Sequence, residues 1–173
     1  MPRRYKLFIL IGFVILALDQ ITKYWARAAL AKYGYAGFPV IDGYWIMRLS
    51  FNTGSAFGLF NRPDWAPWAR VFLSVVGIGA FAAIIMILRR AHDSQKWVTT
   101  ALGLIAGGAV GNVIDRIFAG KVTDFIVWKY NVHEWPAFNI ADSALCVGVA
   151  IMFLDIGREQ KKAKVTQPTS SAS

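Results

Sequence analysis

The sequence is short of charge, of histidine and of cysteine, and each shortage excludes something. Only 17% of the 173 residues are Asp, Glu, Lys or Arg. A soluble domain devotes about 25% of its residues to covering its surface in this way, so a soluble globular enzyme is not expected. The single cysteine, Cys146, rules out a disulfide framework and a cysteine-rich metal site. His92 and His133 lie far apart, so neither a metal-ligand spacing nor a Ser–His or Cys–His nucleophile is visible. Neither a cofactor nor a metal is expected. Acids are scarce as well: 10 against 19 Lys plus Arg, for a net charge of +9. Apolar residues, by contrast, make up 56% of the chain and aromatics 14%, with a mean hydropathy of +0.44. That content excludes a disordered chain. In so apolar a sequence the positive surplus reads as a membrane-orienting signal, not a nucleic-acid footprint.

Stretches of about residues 7–30, 68–88, 97–114 and 138–156 are apolar enough to cross a membrane. A hydrocarbon core about 30 Å thick needs roughly 20 helical residues, and the last two stretches only just reach it. The first is not read as a cleaved signal peptide, because Asp19, Lys23 and Arg27 follow Leu18 where a small-residue cleavage site would stand. Arg3, Arg4 and Lys6, then Arg89, Arg90 and Lys96, then Arg158, Lys161, Lys162 and Lys164 fall on one side if there are four spans. By the positive-inside rule that side is cytoplasmic, with both termini inside. The seven tryptophans lie near span ends or in the outer links, as a membrane-interface belt requires. Gly103, Gly107 and Gly111 form a small-residue stripe suited to close helix packing in lipid.

The fold expected is therefore a membrane all-α bundle of four transmembrane helices. A small extracytoplasmic β-sheet is expected in the link between helices 1 and 2, about residues 38–60, where Tyr44 to Phe51 are aromatic-rich and partly alternating. Residues 1–157 form one integral-membrane domain on this reading, and the basic, polar residues 158–173 a disordered cytoplasmic tail.

Charges inside spans are costly and mark function by default. At about 1.5 Å per residue, Asp19 lies roughly 18 Å from the inner surface and Asp142 roughly 5 Å below the outer one. Asp115 ends the third span, and Asp124 lies in the short link before the fourth. Four aspartates thus gather near the outer face. Each also has a plainer role. Asp19 and Lys23 are spaced for a helical ion pair. Asp115 needs a cation at a helix C-terminus, and Arg116 is the nearest. Asn139 and Asp142 are spaced as an N-cap and its reciprocal partner. Asp124 reads equally as a loop residue, Cys146 as a core residue, and Asn52-Thr53-Gly54 as a turn. Two carboxylates sharing a site hold one proton between them, so that one activates water while the other protonates a carbonyl. Spacing alone leaves open whether Asp115 or Asp124 partners Asp142.

These segments carry a resemblance. Asp19-Gln20-Ile21-Thr22-Lys23, Asn52-Thr53-Gly54-Ser55-Ala56-Phe57, Gly107 to Arg116, Val122-Thr123-Asp124-Phe125 and Phe138-Asn139-Ile140-Ala141-Asp142-Ser143 resemble, in order and spacing, the blocks of the bacterial lipoprotein signal peptidases, or signal peptidase II. Ser55 and Gly58 are small departures. The resemblance implies an aspartic endopeptidase of the inner membrane with an extracytoplasmic β-cradle, cutting diacylglyceryl-modified prolipoproteins before the lipidated cysteine. It implies Asp124 and Asp142 as the catalytic pair. Asn52, Gly54, Asn112, Arg116 and Asn139 match positions holding substrate or an inhibitor such as globomycin, and Asp19, Lys23 and Asp115 match supporting positions. Phospholipid surroundings, a monomer and no nucleic-acid partner go with this reading. A small proton-coupled transporter and a non-enzymatic scaffold are the alternatives.

Overall fold

The fold is taken from a computed structural model that describes residues 1–54 and 66–166. Ser55, Ala56, Phe57, Gly58, Trp65 and the rest of the expected β region up to residue 60 lie outside the described residues, as does the end of the tail. Among the described residues, four helices are long and apolar enough to cross a membrane: α1 (Arg3–Ala29), α2 (Ala66–Arg90), α3 (Lys96–Phe118) and α4 (Ile140–Thr166). Their burial separates them. The most apolar window of α3 is 56% buried, against 11% for α1, 11% for α2 and 17% for α4. The central helix is thus α3, and each of the others packs on it. Large apolar side chains such as Phe13, Val75, Ile78 and Phe153 point outward from the other three. A helix apolar all round is suited to lipid on its outer side.

The glycine stripe explains how closely α3 is embraced. A Cβ on Gly107 would stand 2.7 Å from the Gly12 carbonyl oxygen, and one on Gly108 would stand 2.5 Å from that of Ala141. Glycine at these positions lets α1 and α4 press backbone to backbone on adjacent faces of α3; the α1 side is the stripe the small-residue pattern predicts, and Gly108 adds the α4 side.

The basic clusters collect at one end of the bundle. The Arg4 guanidinium pairs with Asp93 in the α2–α3 link at 2.9 Å, and Arg158 of α4 lies over the Trp97 ring of α3. At the opposite end sits a four-stranded antiparallel sheet of order β1 (Phe38–Ile41), β2 (Trp45–Asn52), β3 (Val122–Tyr130) and β4 (His133–Glu134). Only β1 and β2 come from the link where a sheet was expected. The other two strands come from the α3–α4 link. The start of β3 escapes a period-two search because Val122, Thr123, Asp124 and Phe125 are all buried. A strand covered on both faces has no reason to alternate.

Two boundaries also differ from expectation. Helix α3 continues past Ile114 to Phe118, which places Asp115 and Arg116 on its last turn. Helix α4 continues past Gly157 to Thr166, so the first part of the expected tail is helical.

Candidate functional site

The site is built where α1, α3, α4 and β3 meet. Asp19 and Lys23, one turn apart on α1, form a fully buried ion pair at 2.9 Å. Neither is tolerable in such a place unless every polar atom finds a partner. The Asp19 Oδ1 accepts from the Ala141 N–H of α4 at 3.0 Å, and its Oδ2 accepts from Gln20. The Lys23 ammonium donates to Asn112 Oδ1 at 2.9 Å and approaches Asp115 Oδ2 at 3.4 Å, both on α3. A Cβ on Gly111 would stand 2.5 Å from Asp19 Oδ2, so the absence of a side chain there admits the pair.

Asp115 does not take Arg116 as its cation. Its ionic partners are Lys23 and, at 3.9 Å, Arg27, while its Oδ2 accepts the Thr123 N–H at 2.9 Å. Arg27 also donates to the Thr123 hydroxyl at 2.8 Å. These contacts fasten the first residues of β3 to the end of α3, and the next residue is Asp124. This aspartate is therefore a buried strand residue opposite Ser50 of β2, not a loop residue.

Asn139 and Asp142 form the reciprocal cap expected from their spacing. The Asp142 N–H donates to Asn139 Oδ1 at 2.9 Å, and the Asn139 N–H donates to Asp142 Oδ2 at 3.2 Å. The cap does more than start α4. The Asn139 amide reaches Asp124 Oδ1 at 2.7 Å, while the Asn112 amide donates to Asp142 Oδ1 at 2.8 Å. Asn139 thus bridges the two acids, and the Asp142 carboxylate has a donor on each oxygen.

Burial pushes the Asp124 carboxyl up to about 7, and the Asp142 charge pushes it the same way. Hydrogen bonds from Asn139 and Asn52 and the charge of Lys23 oppose both. A carboxyl so placed is half-protonated near neutral pH, the condition for general acid–base work by a pair of acids.

Asp124 and Asp142 both face a cavity of about 810 Å³ that is also lined by Asn52, Asn112 and Arg116. Its further walls are Phe51 and Trp128 of the sheet, the segment from Trp135 to Phe138, and Leu145, Cys146 and Val147 of α4. Gly54 closes a turn on Asn52, its N–H donating to Asn52 Oδ1 at 2.9 Å. The Gly54 carbonyl accepts a long 3.4 Å bond from Arg116, whose Nε is buried with no partner among the described residues. Cys146 is exposed along the cavity, contrary to the core role expected of it. The aromatic wall of Trp128 and Trp135 was not foreseen as part of the site. Its signal is the pair of tryptophans in the α3–α4 link, which the interface-belt reading absorbs.

Comparison with known proteins gives the family and the fold. The family profile described as signal peptidase (SPase) II matches residues 11–158. The chain belongs to the signal peptidase II family. It is 38% identical to the lipoprotein signal peptidase of Geobacter metallireducens, over 94% of this chain and 97% of that one. It is 41% identical to that of Maridesulfovibrio salexigens, over 87% and 95% respectively. A bacterial membrane enzyme solved by the in meso method at 2.3 Å superposes with a TM-score of 0.77 at 26% identity, covering 96% of this chain and 94% of that one. The chain is accordingly a multi-pass membrane peptidase, and these likenesses lend nothing to the transporter or scaffold readings.

Proposed function

We propose that this peptidase uses Asp124 and Asp142 as an aspartic pair to remove signal peptides from diacylglyceryl-modified prolipoproteins. The observation that carries the reading is the joining of two carboxylates, one buried and one half-buried, by Asn139 on the wall of one cavity. The ionised member takes a proton from water as the water oxygen attacks the scissile carbonyl carbon. The protonated member donates to the carbonyl oxygen, giving a neutral tetrahedral intermediate. Collapse then breaks the C–N bond, and a proton passes to the leaving amine of the lipidated cysteine. No metal or cofactor takes part in these steps.

Asn52, Gly54 and Arg116 are suited to hold the extended peptide and to stabilise the developing negative charge on its carbonyl oxygen. Asn112 and Asn139 orient the acids, and Asp19, Lys23 and Asp115 hold that arrangement from below. The apolar walls are suited to acyl chains. Two such chains anchor a substrate strongly in the bilayer, at about 0.8 kcal/mol per buried methylene. They would hold the scissile bond at the sheet end of the bundle. On the positive-inside rule the Lys and Arg clusters face the cytoplasm with both termini. The sheet and the site then face outward from a bacterial inner membrane, and the chain works as a monomer among phospholipids. Globomycin-like inhibitors would fill the same cavity.

Purified protein incubated with a diacylated precursor should release a shortened product on a gel, and globomycin should suppress it. The same precursor without its lipid should remain uncut. Absence of cleavage in the reconstituted protein would overturn the reading.

A further inference from the structure

The buried ammonium of Lys23 touches neither acid, yet its position sets which way the Asn112 amide points and reinforces the orientation of a second. An asparagine amide has one accepting and one donating end. An ammonium only donates, so the Asn112 atom 2.9 Å from Lys23 Nζ is the oxygen. The other end of Asn112 is then its donor, directed at Asp142 Oδ1 at 2.8 Å. Asn112 Oδ1 also accepts from Asn139 Nδ2 at 3.2 Å, in step with the Asp142 N–H and the Thr123 carbonyl, which hold the second amide the same way: its nitrogen faces Asp124 at 2.7 Å and its oxygen takes the Asp142 N–H. Reversing Asn112 would turn an N–H toward the ammonium and an oxygen toward a carboxylate. Both contacts would be repulsive in a place of low dielectric.

We infer that Lys23 is a positioning residue that polarises an Asn112–Asn139 relay, so that each acid of the pair faces an amide N–H and not an amide oxygen. This rests on the reading of Asp124 and Asp142 as the reacting pair. The charged groups around them are Asp19, Lys23 and Arg27 on α1 and Asp115 and Arg116 on α3. Among these, Lys23 alone reaches the relay through the Asn112 oxygen. An N–H donated to a carboxylate favours its ionised form. Losing that N–H makes the first proton of the pair harder to remove.

Two variants separate this role from packing. Asn112→Asp keeps volume and keeps acceptors for Lys23 and Asn139, but in its ionised form has nothing to donate to Asp142 and sets a like charge beside it. Asp19→Asn with Lys23→Met removes the ammonium together with its nearer carboxylate charge and leaves Asp115 its Arg27 partner. With wild-type protein cleaving a diacylated precursor, each variant should lower kcat by roughly 10- to 100-fold, the cost of a hydrogen bond to a charged group. KM should stay within about twofold, and the acidic limb of the kcat–pH profile should move to higher pH. Lys23→Arg, which still donates, should recover part of the rate. If Asn112→Asp melts like wild type and keeps its kcat and acidic limb, the inference fails. It also fails if the double variant loses stability alone, with an unmoved pH profile. Failure of wild-type cleavage would instead strike the proposed function.

Discussion

Asp19 and Asp93 each face a cation at 2.9 Å, at opposite ends of the bundle. The Asp19–Lys23 pair is fully buried, while the side chains of Arg4 and Asp93 are 21% and 42% exposed. The same chemistry thus serves different ends. At the basic end water and salt screen the pair, and little depends on it. At the sheet end the Asp19–Lys23 pair is shut off from water, so its polar atoms must be matched, and the matching extends from Asp19 and Lys23 through Asn112 and Asn139 to Asp124 and Asp142. Burial turns an ion pair from a surface ornament into the foundation of a site.

Four changes break or sharpen that contrast. Asp19→Ala leaves the buried ammonium without its nearest partner and should destabilise the protein by about 3–5 kcal/mol, read as a lower melting temperature in detergent. Next comes Gly108→Ala on the α3–α4 seam. Its Cβ would meet the Ala141 carbonyl, so backbone must move, at a cost of about 1–3 kcal/mol. Gly79→Ala on α2, where a Cβ meets nothing within 4 Å, is the control and should melt at or slightly above the wild-type temperature. The third change is a pH dependence. The folded Asp124 carboxyl titrates near 7, above its ordinary value of 3.8. The folded state therefore holds a proton that the unfolded chain releases, and the stability this confers at low pH is lost as pH rises through about 7. Asp124→Asn should thus raise the melting temperature relative to wild type more at about pH 8 than at about pH 5. An equal difference at both would contradict the assignment. The smallest effect belongs to Asp93→Asn, which should leave melting and cleavage within error, because its pair is solvated.

The four helices were legible because lipid imposes long apolar runs and the Lys and Arg clusters mark their ends. The cap was legible too, since Asn139 and Asp142 stand at the spacing of a reciprocal N-cap. Other parts depend on tertiary structure. Asp115 looked to its neighbour Arg116, but Lys23 and Arg27 come from a helix far away in sequence. Nothing local reports that approach except the glycines of α3, whose meaning is closeness without a named partner. The start of β3 was hidden by the very burial that makes Asp124 useful, because a strand packed on both faces loses its alternation. Cys146 was misplaced for a related reason: an apolar helix in lipid does not declare which face is inside, and its side lines the cavity.

The most direct test of the account compares Asp124→Asn and Asp142→Asn with wild type on a diacylated precursor, with melting curves recorded for all three. The account predicts that each asparagine variant folds and inserts while its cleavage falls by roughly a thousandfold or more, beyond what a single general acid or base usually contributes, because the pair acts as a unit. Cleavage at the wild-type rate by either folded variant would contradict it.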